Sequence, residues 1–339
     1  MLPTSVRWKR KYGPSSRDNA ALRPYISHAL PHPINLKNKH THTMLYPPSE
    51  LIINPDGSVF HLHIRPEQLA DRVILVGDPG RVETVASHFD TRECSISSRE
   101  FCTVTGTYHG KRITVLSTGI GCDNIDIVVN ELDALANINF QTREDNPHFR
   151  QLTLVRIGTC GGLQPETPLG TFIASEKSIG FDGLLNYYAD RNRVCDLELE
   201  EAFRKHMNWS PQKGAPYVAT ADAGLLNQIA TDDMVRGITI ACGGFYGPQG
   251  RRIRMEIQDP QQNAKVEAFR YHTCENGTPR ELKICNFEME SSALAGLASI
   301  LGHRATTCCM VIANRYAQEM NTSYKNTIDN LISLVLERI

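Results

Sequence analysis

Leu152-Thr153-Leu154-Val155-Arg156-Ile157-Gly158-Thr159-Cys160-Gly161-Gly162 is the stretch that decides the architecture. Its first six residues are apolar or β-branched apart from Arg156, the pattern of a buried strand, and the glycines that follow read as the turn that ends it. Arg72-Val73-Ile74-Leu75-Val76, closed by Gly77-Asp78-Pro79-Gly80, repeats the pattern. Working outward, Phe101–Tyr108 and Ile113–Leu116 read as a hairpin about Gly110, and further strands are expected at Tyr217–Thr220, Ile238–Cys242, Lys283–Phe287 and Thr306–Ala313. Helices are expected at Val82–Phe89, Asn124–Ile138, Ser291–Leu301 and Thr327–Arg338; the second places Ile125, Val128, Val129, Leu132 and Leu135 on one face. Strands alternating with helices predict an α/β fold of three layers, a mixed, mainly parallel central β-sheet flanked by helices. The polar stretch from Asp190 to Pro216 reads as an irregular surface insertion.

The 339 residues carry 36 basic and 37 acidic side chains, which argues against a nucleic-acid binder resting on overall charge. No apolar run reaches the roughly 18 residues of a membrane span. The ten cysteines form no C-x-x-C pair, and several lie in apolar runs such as Thr306-Thr307-Cys308-Cys309-Met310-Val311. They read as buried thiols of a reducing, cytoplasmic setting rather than as a zinc site or a disulfide framework. Residues 1–43 differ from the rest, with eight Lys/Arg against the single acid Asp18, and with Pro3, Pro14, Pro24, Pro31 and Pro33. Prolines at that density forbid a long helix. The segment reads as an extension ahead of a body over 44–339; a disordered tail, an upstream stretch before Met44 and a transit peptide all fit its composition.

Ligands of such sheets collect outside the carboxyl ends of the strands. There the chain places Gly77-Asp78-Pro79-Gly80-Arg81 and Arg156-Ile157-Gly158-Thr159, and Arg99 follows in Ser97-Ser98-Arg99-Glu100-Phe101. Glycines let backbone N–H groups approach an anion, and arginine offers a planar fork to phosphate, so the set suggests an oxyanion site. No phosphate-loop motif is present. Gly119-Ile120-Gly121-Cys122-Asp123-Asn124 nearly makes a dinucleotide fingerprint, but Asn124 replaces its last glycine, which argues against a nicotinamide dehydrogenase. In Asn286-Phe287-Glu288-Met289-Glu290-Ser291 the two carboxylates at i and i+2 cannot share a helix face. One suits sugar hydroxyls, with Met289 packing a sugar face. The other reading is a helix start with acids placed by the macrodipole.

Together these segments resemble the nucleoside phosphorylase type I family, closest to its uridine phosphorylases. The matching pieces are VFHL (Val59–Leu62), VGDPGRV (Val76–Val82), SREF (Ser98–Phe101), STGIG (Ser117–Gly121), RIGTCGG (Arg156–Gly162), GFYGPQGR (Gly244–Arg251), NFEMES (Asn286–Ser291) and VIANR (Val311–Arg315), in the family's order from Val59 to the C-terminus. The resemblance implies phosphorolysis of uridine to uracil and ribose 1-phosphate, with inorganic phosphate as co-substrate and no organic cofactor; it does not separate uridine from deoxyuridine or thymidine. It implies that Gly77, Arg81, Arg156 and Thr159 bind phosphate, joined by Arg99 of a neighbouring subunit. It assigns His61, again from the neighbour, Phe245, Gln249, Arg251, Met289 and Glu290 to the nucleoside, with Arg251, Gln249 and Glu290 as the catalytic set. A homodimer or higher homo-oligomer with shared sites follows, with K⁺ or Ca²⁺ at the interface near Glu100 and Asn124; Asp123 and Asn124 as helix caps are the competing reading. Purine phosphorylases of the family carry an aspartate where this chain has Asn314, which favours a pyrimidine. Cys160 departs from the hydroxyl residue common there. The alternatives are a purine nucleoside phosphorylase or hydrolytic nucleosidase of the same fold, and, in another class, a non-catalytic nucleoside-binding or storage protein.

Overall fold

Strand Arg72–Val76 is apolar at consecutive positions because the sheet is covered twice. Val73 and Leu75 join one apolar layer with the helices Cys122–Asn137 and Ser291–Leu301, through Ile125, Val129, Leu132, Leu294 and Leu297. Ile74 and Val76 join the other, with helices Pro79–Ala86, Ala223–Ile229 and Ile328–Arg338, through Val82, Val85, Leu225, Leu331 and Val335. These are the three layers expected. This computed structural model describes residues 45–275, 277–324 and 327–339; the extension expected over 1–43 lies outside them.

Among the described residues one sheet has twelve strands. Its main path runs Arg270–Glu275, Thr278–Glu288, Val235–Ala241, Phe172–Gly180, Arg304–Asn314, Thr153–Gly162, Arg72–Val76, Lys111–Ser117, Phe101–Tyr108, Thr91–Ser98. Arg72–Val76 is parallel to its neighbours Lys111–Ser117 and Thr153–Gly162, and the latter is parallel to Arg304–Asn314. A second parallel set, Phe172–Gly180, Val235–Ala241 and Thr278–Glu288, runs antiparallel to Arg304–Asn314. The two sets meet again where Asn286 pairs with Gly162 and Phe287 with Gly161, which closes five strands into a ring. That closure brings the carboxyl ends of both sets to one place.

Several expectations change. The glycine run after Ile157 is not a turn, since the strand continues through Gly162 with partners on both sides. The polar stretch from Asp190 holds a helix, Leu197–Met207, which buries Leu199, Phe203 and Met207 beside the barrel strands. Strands Thr91–Ser98 and Phe172–Gly180 were not expected. Helix Pro79–Ala86 starts earlier than Val82, with Pro79 in its first turn and the Asp78 carboxylate accepting from the Gly80 N–H at 2.9 Å. Neither Asp123 nor Asn124 caps its helix: the cap position is Gly121, at φ 103° and without a side-chain bond. The ten cysteines are unbridged, six of them buried. No helix of the described residues is long and apolar enough to cross a membrane.

Candidate active site

The converging strand ends line a cavity of about 680 Å³. It collects Gly77, Arg81, Arg156 and Thr159, then Met289 and Glu290, then Phe245, Gln249 and Arg251. A second cavity of about 700 Å³ lies across the Tyr246–Arg251 turn; Trp209, Ile253 and Met255 line it, and neither Arg81 nor Arg156 does. The polar groups that chemistry needs therefore converge in the first.

Arg156 organises one end. It stands in the middle of the sheet, between Leu75 and Thr307, and is buried. Its guanidinium bonds the Glu290 carboxylate and lies 3.4 Å from Glu288 Oε2. Burial pulls the Arg156 pKa down, but Glu290 and Glu288 more than reverse it, so the charge is fixed. Arg81, also buried, donates to the Ile157 carbonyl at 3.2 Å. Burial and then the like charge of Arg156 hold its pKa down. Two guanidiniums so placed favour an anion between them.

The two carboxylates differ in their contacts, and the helix-start reading holds for Glu288. Glu288 satisfies the helix start: it accepts the N–H of Glu290 at 2.9 Å, the N–H of Ser291 at 3.0 Å and the Ser291 hydroxyl at 2.6 Å. Burial raises its pKa, Arg156 opposes that, and Glu290 adds to it; the net direction is up. Glu290 accepts the Gly121 N–H at 2.7 Å and the Arg156 guanidinium, and lines the cavity beside Met289. Its free lone pairs suit hydroxyl donors.

Two of the glycines make room for arginine side chains. A Cβ on Gly158 would come 2.3 Å from Arg156 Nη1 and 3.0 Å from Cys309 Sγ, and one on Gly161 would come 3.1 Å from Arg315 Nε. The glycines therefore leave the room in which two arginines lie. Gly158→Ala is expected to push the Arg156 guanidinium off its carboxylates and weaken anion binding at this end of the cavity by about tenfold, the loss of one charge-assisted contact; an unchanged affinity for inorganic phosphate would show that Arg156 is not held this way.

The third group is built on the turn after strand Val235–Ala241. Gln249 is buried, and its Oε1 accepts from Arg315 Nη2 at 3.0 Å. The Arg251 guanidinium stacks on the Phe245 ring at 3.8 Å. Arg315 was missed from the sequence, although it ends the VIANR segment; it lines the cavity, and burial, then Arg251, hold its pKa down to about 10. The Nε groups of Arg156, Arg251 and Arg315 are buried with no protein acceptor. Asn314 is fully engaged: its amide donates to the Thr167 carbonyl at 2.7 Å and the Gln164 carbonyl at 3.3 Å, and its oxygen accepts the Ala317 N–H at 2.9 Å.

His61 and Arg99 do not join this cavity. Arg99 is exposed at φ 54°, with its guanidinium 5.7 Å from the Phe60 ring, and that ring is 4.7 Å from His61. Glu100 and Asn124 flank Gly119, whose added Cβ would lie 3.1 Å from Glu100 Cγ and 2.5 Å from Asn124 Nδ2. Among the described residues no group of three His, Cys, Asp or Glu side chains could hold a metal.

Residues 71–337 match a family model described as the phosphorylase superfamily. A uridine phosphorylase of Haemophilus influenzae is 30% identical over 287 residues, 83% of this chain and 96% of its own. One of Treponema pallidum is 34% identical over 293 residues, 83% of this chain and 92% of its own. A solved nucleoside phosphorylase of Trypanosoma brucei, described as showing uridine phosphorylase activity, superposes with a TM-score of 0.77 at 28% identity, over 85% of this chain and 98% of that one.

Proposed function

Since the chain belongs to the phosphorylase superfamily, we propose that it is a pentosyltransferase that cleaves uridine with inorganic phosphate, giving uracil and ribose 1-phosphate. Similarity to uridine phosphorylases over most of the chain supports this. The observation that carries the base assignment is the pairing of a Gln249/Arg251/Arg315 group with an Asn314 that has no free proton. Gln249, held through Oε1 by Arg315, can donate from Nε2 and accept on the remaining lone pair, which matches an imide edge. A purine leaving group needs a proton at N7, and Asn314 has both amide hydrogens committed to backbone carbonyls.

Phosphate is the nucleophile, so no side chain is needed in that role, and the protein's part is positioning and electrostatics. Arg81 and Arg156 hold phosphate; one of its oxygens bonds to the anomeric carbon as the glycosidic electron pair leaves with uracil. Positive charge on the sugar grows beside Glu290, and negative charge on the base grows beside Arg251 and the Gln249 amide. Two expected ligands, His61 and Arg99, lie outside the chain's own cavity. This supports a homo-oligomer in which a second copy supplies them, Arg99 at phosphate and His61 at the 5′-hydroxyl. Glu100 and Asn124 are the cation ligands of this reading. One carboxylate and one amide fall short of the six to eight oxygens Ca²⁺ takes, so backbone carbonyls, waters or the second copy supply the rest in this reading.

Uracil release from uridine is expected with phosphate and absent without it, and inosine should be turned over poorly. Release without phosphate would identify a hydrolase, and a higher kcat/KM for inosine would overturn the pyrimidine assignment.

A further inference from the structure

We propose that Glu131 is a positioning residue that fixes the tautomer of His61, so that the ring presents Nε2 as an acceptor to the 5′-hydroxyl of a nucleoside bound in the neighbouring copy. The proposal rests on the shared-site reading above and adds to it a residue outside every recognised motif.

Glu131 projects from helix Cys122–Asn137, whose Val128, Leu132 and Leu135 anchor it in the core. One oxygen, Oε1, lies 2.6 Å from His61 Nδ1 and 3.1 Å from the His61 N–H. The other, Oε2, accepts the His61 N–H at 3.1 Å and the Leu62 N–H at 2.9 Å. A carboxylate can only accept, so the proton of this contact belongs to Nδ1. A neutral ring then carries its lone pair on Nε2, which no protein group among the described residues engages. The ring is 27% exposed and the carboxylate 12%, so the bond is inside while the ring reaches the surface. Phe60 meets the ring edge-on at 4.7 Å and Phe101 at 6.4 Å, which limits its swing.

The segment has anchors besides the two backbone N–H groups that Glu131 accepts. Leu62 and Ile64 are fully buried, the Val59 N–H donates to the Ile64 carbonyl at 3.0 Å, and the His63 N–H donates to the Val59 carbonyl at 3.1 Å. Beyond those backbone contacts, the carboxylate sets the orientation and proton placement of the imidazole, which a hydroxyl partner would need and a packed loop would not. Helix Cys122–Asn137 also begins at Gly121, whose N–H is bound by Glu290 of the chain's own cavity. One rigid element thus positions a group for each of two sites.

The test compares uridine with 5′-deoxyuridine at saturating phosphate in the full-length wild type, His61→Ala, Glu131→Gln and the double variant. His61→Ala should lower kcat/KM for uridine about threefold to tenfold more than for 5′-deoxyuridine, the size of one neutral hydrogen bond. Glu131→Gln should show the same substrate-selective loss, and the double variant should be no worse than His61→Ala. If His61→Ala treats both substrates alike, the neighbour-histidine reading fails. If His61→Ala discriminates but Glu131→Gln does not, or if the two losses add, the role of Glu131 is overturned while that reading stands. A measurement on the wild type is independent of variant stability: nitrogen–proton correlation spectra of the His61 ring, assigned with His61→Ala, should show a protonated Nδ1 and an unprotonated Nε2. The reverse tautomer overturns the proposal.

Discussion

Arg156→Ala is expected to lose nearly all turnover and to unfold at a markedly lower temperature than the parent. The side chain touches two carboxylates at the nearly buried end of the cavity: Arg156, Glu288 and Glu290 have side chains 5%, 1% and 4% exposed. Removing one partner of a buried ion pair typically costs about 3–5 kcal/mol, because the charge left behind is uncompensated. Here two are left, side by side. A fall in Tm on the order of 5–10 °C is the corresponding thermal change. The deficit should depend on pH with a defined sign. Glu288 already has a raised pKa in the folded state through burial, and loss of Arg156 removes the group that opposes the rise. A carboxyl whose folded pKa lies above its unfolded one costs the folded state nothing extra while both forms are protonated. Stability then falls as pH rises from the unfolded pKa through the folded one. The variant should therefore be closest to the parent in mild acid and furthest from it in alkali. Arg81→Ala is the control, since Arg81 donates to the Ile157 carbonyl rather than to a carboxylate and is repelled by Arg156. It should raise the phosphate KM about tenfold to a hundredfold, the worth of one charge-assisted contact, with little change in Tm. Thermal melts across pH, paired with phosphate kinetics, check both. An Arg156→Ala protein with the parent's Tm and phosphate KM would remove Arg156 from the centre of the site.

That centre was readable in part. Arg72–Val76 and Tyr217–Thr220 stood out because a strand covered on both faces is a continuous apolar run with turn residues beside it. Strand Phe172–Gly180 did not, because Glu176 and Lys177 interrupt it. Their partners are Arg280, at 2.7 Å, and Asp196, at 2.8 Å; the former comes from a strand more than a hundred residues away, so no local pattern marks the pair. Thr91–Ser98 is mostly exposed and has one apolar neighbour layer, which leaves its sequence polar. Helix Leu197–Met207 did carry a signal, Leu199, Phe203 and Met207 at i, i+4 and i+8, but it is embedded in charge. The site shows the same division. Most of the expected phosphate and nucleoside residues share one cavity, whereas His61 and Arg99 lie outside it, and Arg315 and Glu131 make contacts that only the fold creates. The glycines after Ile157 stand out in the sequence as an anion loop, but what the fold shows is that Gly158 and Gly161 leave room for Arg156 and Arg315, and Gly162 for Thr167.

Replacing Arg251 should separate chemistry from stability in the opposite sense to Arg156. Arg251 has no carboxylate partner among the described residues; it rests on Phe245, and its Nε is buried without an acceptor. Burial lowers its pKa, and its charge in turn helps hold that of Arg315 down. The folded protein thus keeps two guanidiniums close together at a cost, which is a reasonable arrangement where negative charge is to appear on a leaving base. Arg251→Ala removes the repulsion and should leave Tm unchanged or slightly higher. On the proposed function the same change removes a donor to the departing uracil, and kcat should fall about 10²–10³-fold. Gln249→Glu should be at least as damaging to turnover. The new carboxylate would form a salt bridge with Arg315, which now bonds the Gln249 oxygen at 3.0 Å, but it would offer the base no donor and would repel the charge that develops there. In both variants the phosphate KM should stay within about threefold of the parent, because Arg81 and Arg156 remain in place. Steady-state kinetics at varied uridine and phosphate, with a melt of each protein, distinguish this from general damage. A fall in kcat below about threefold for Arg251→Ala, or a parallel loss of phosphate affinity, would mean that the Gln249/Arg251/Arg315 group does not receive the base.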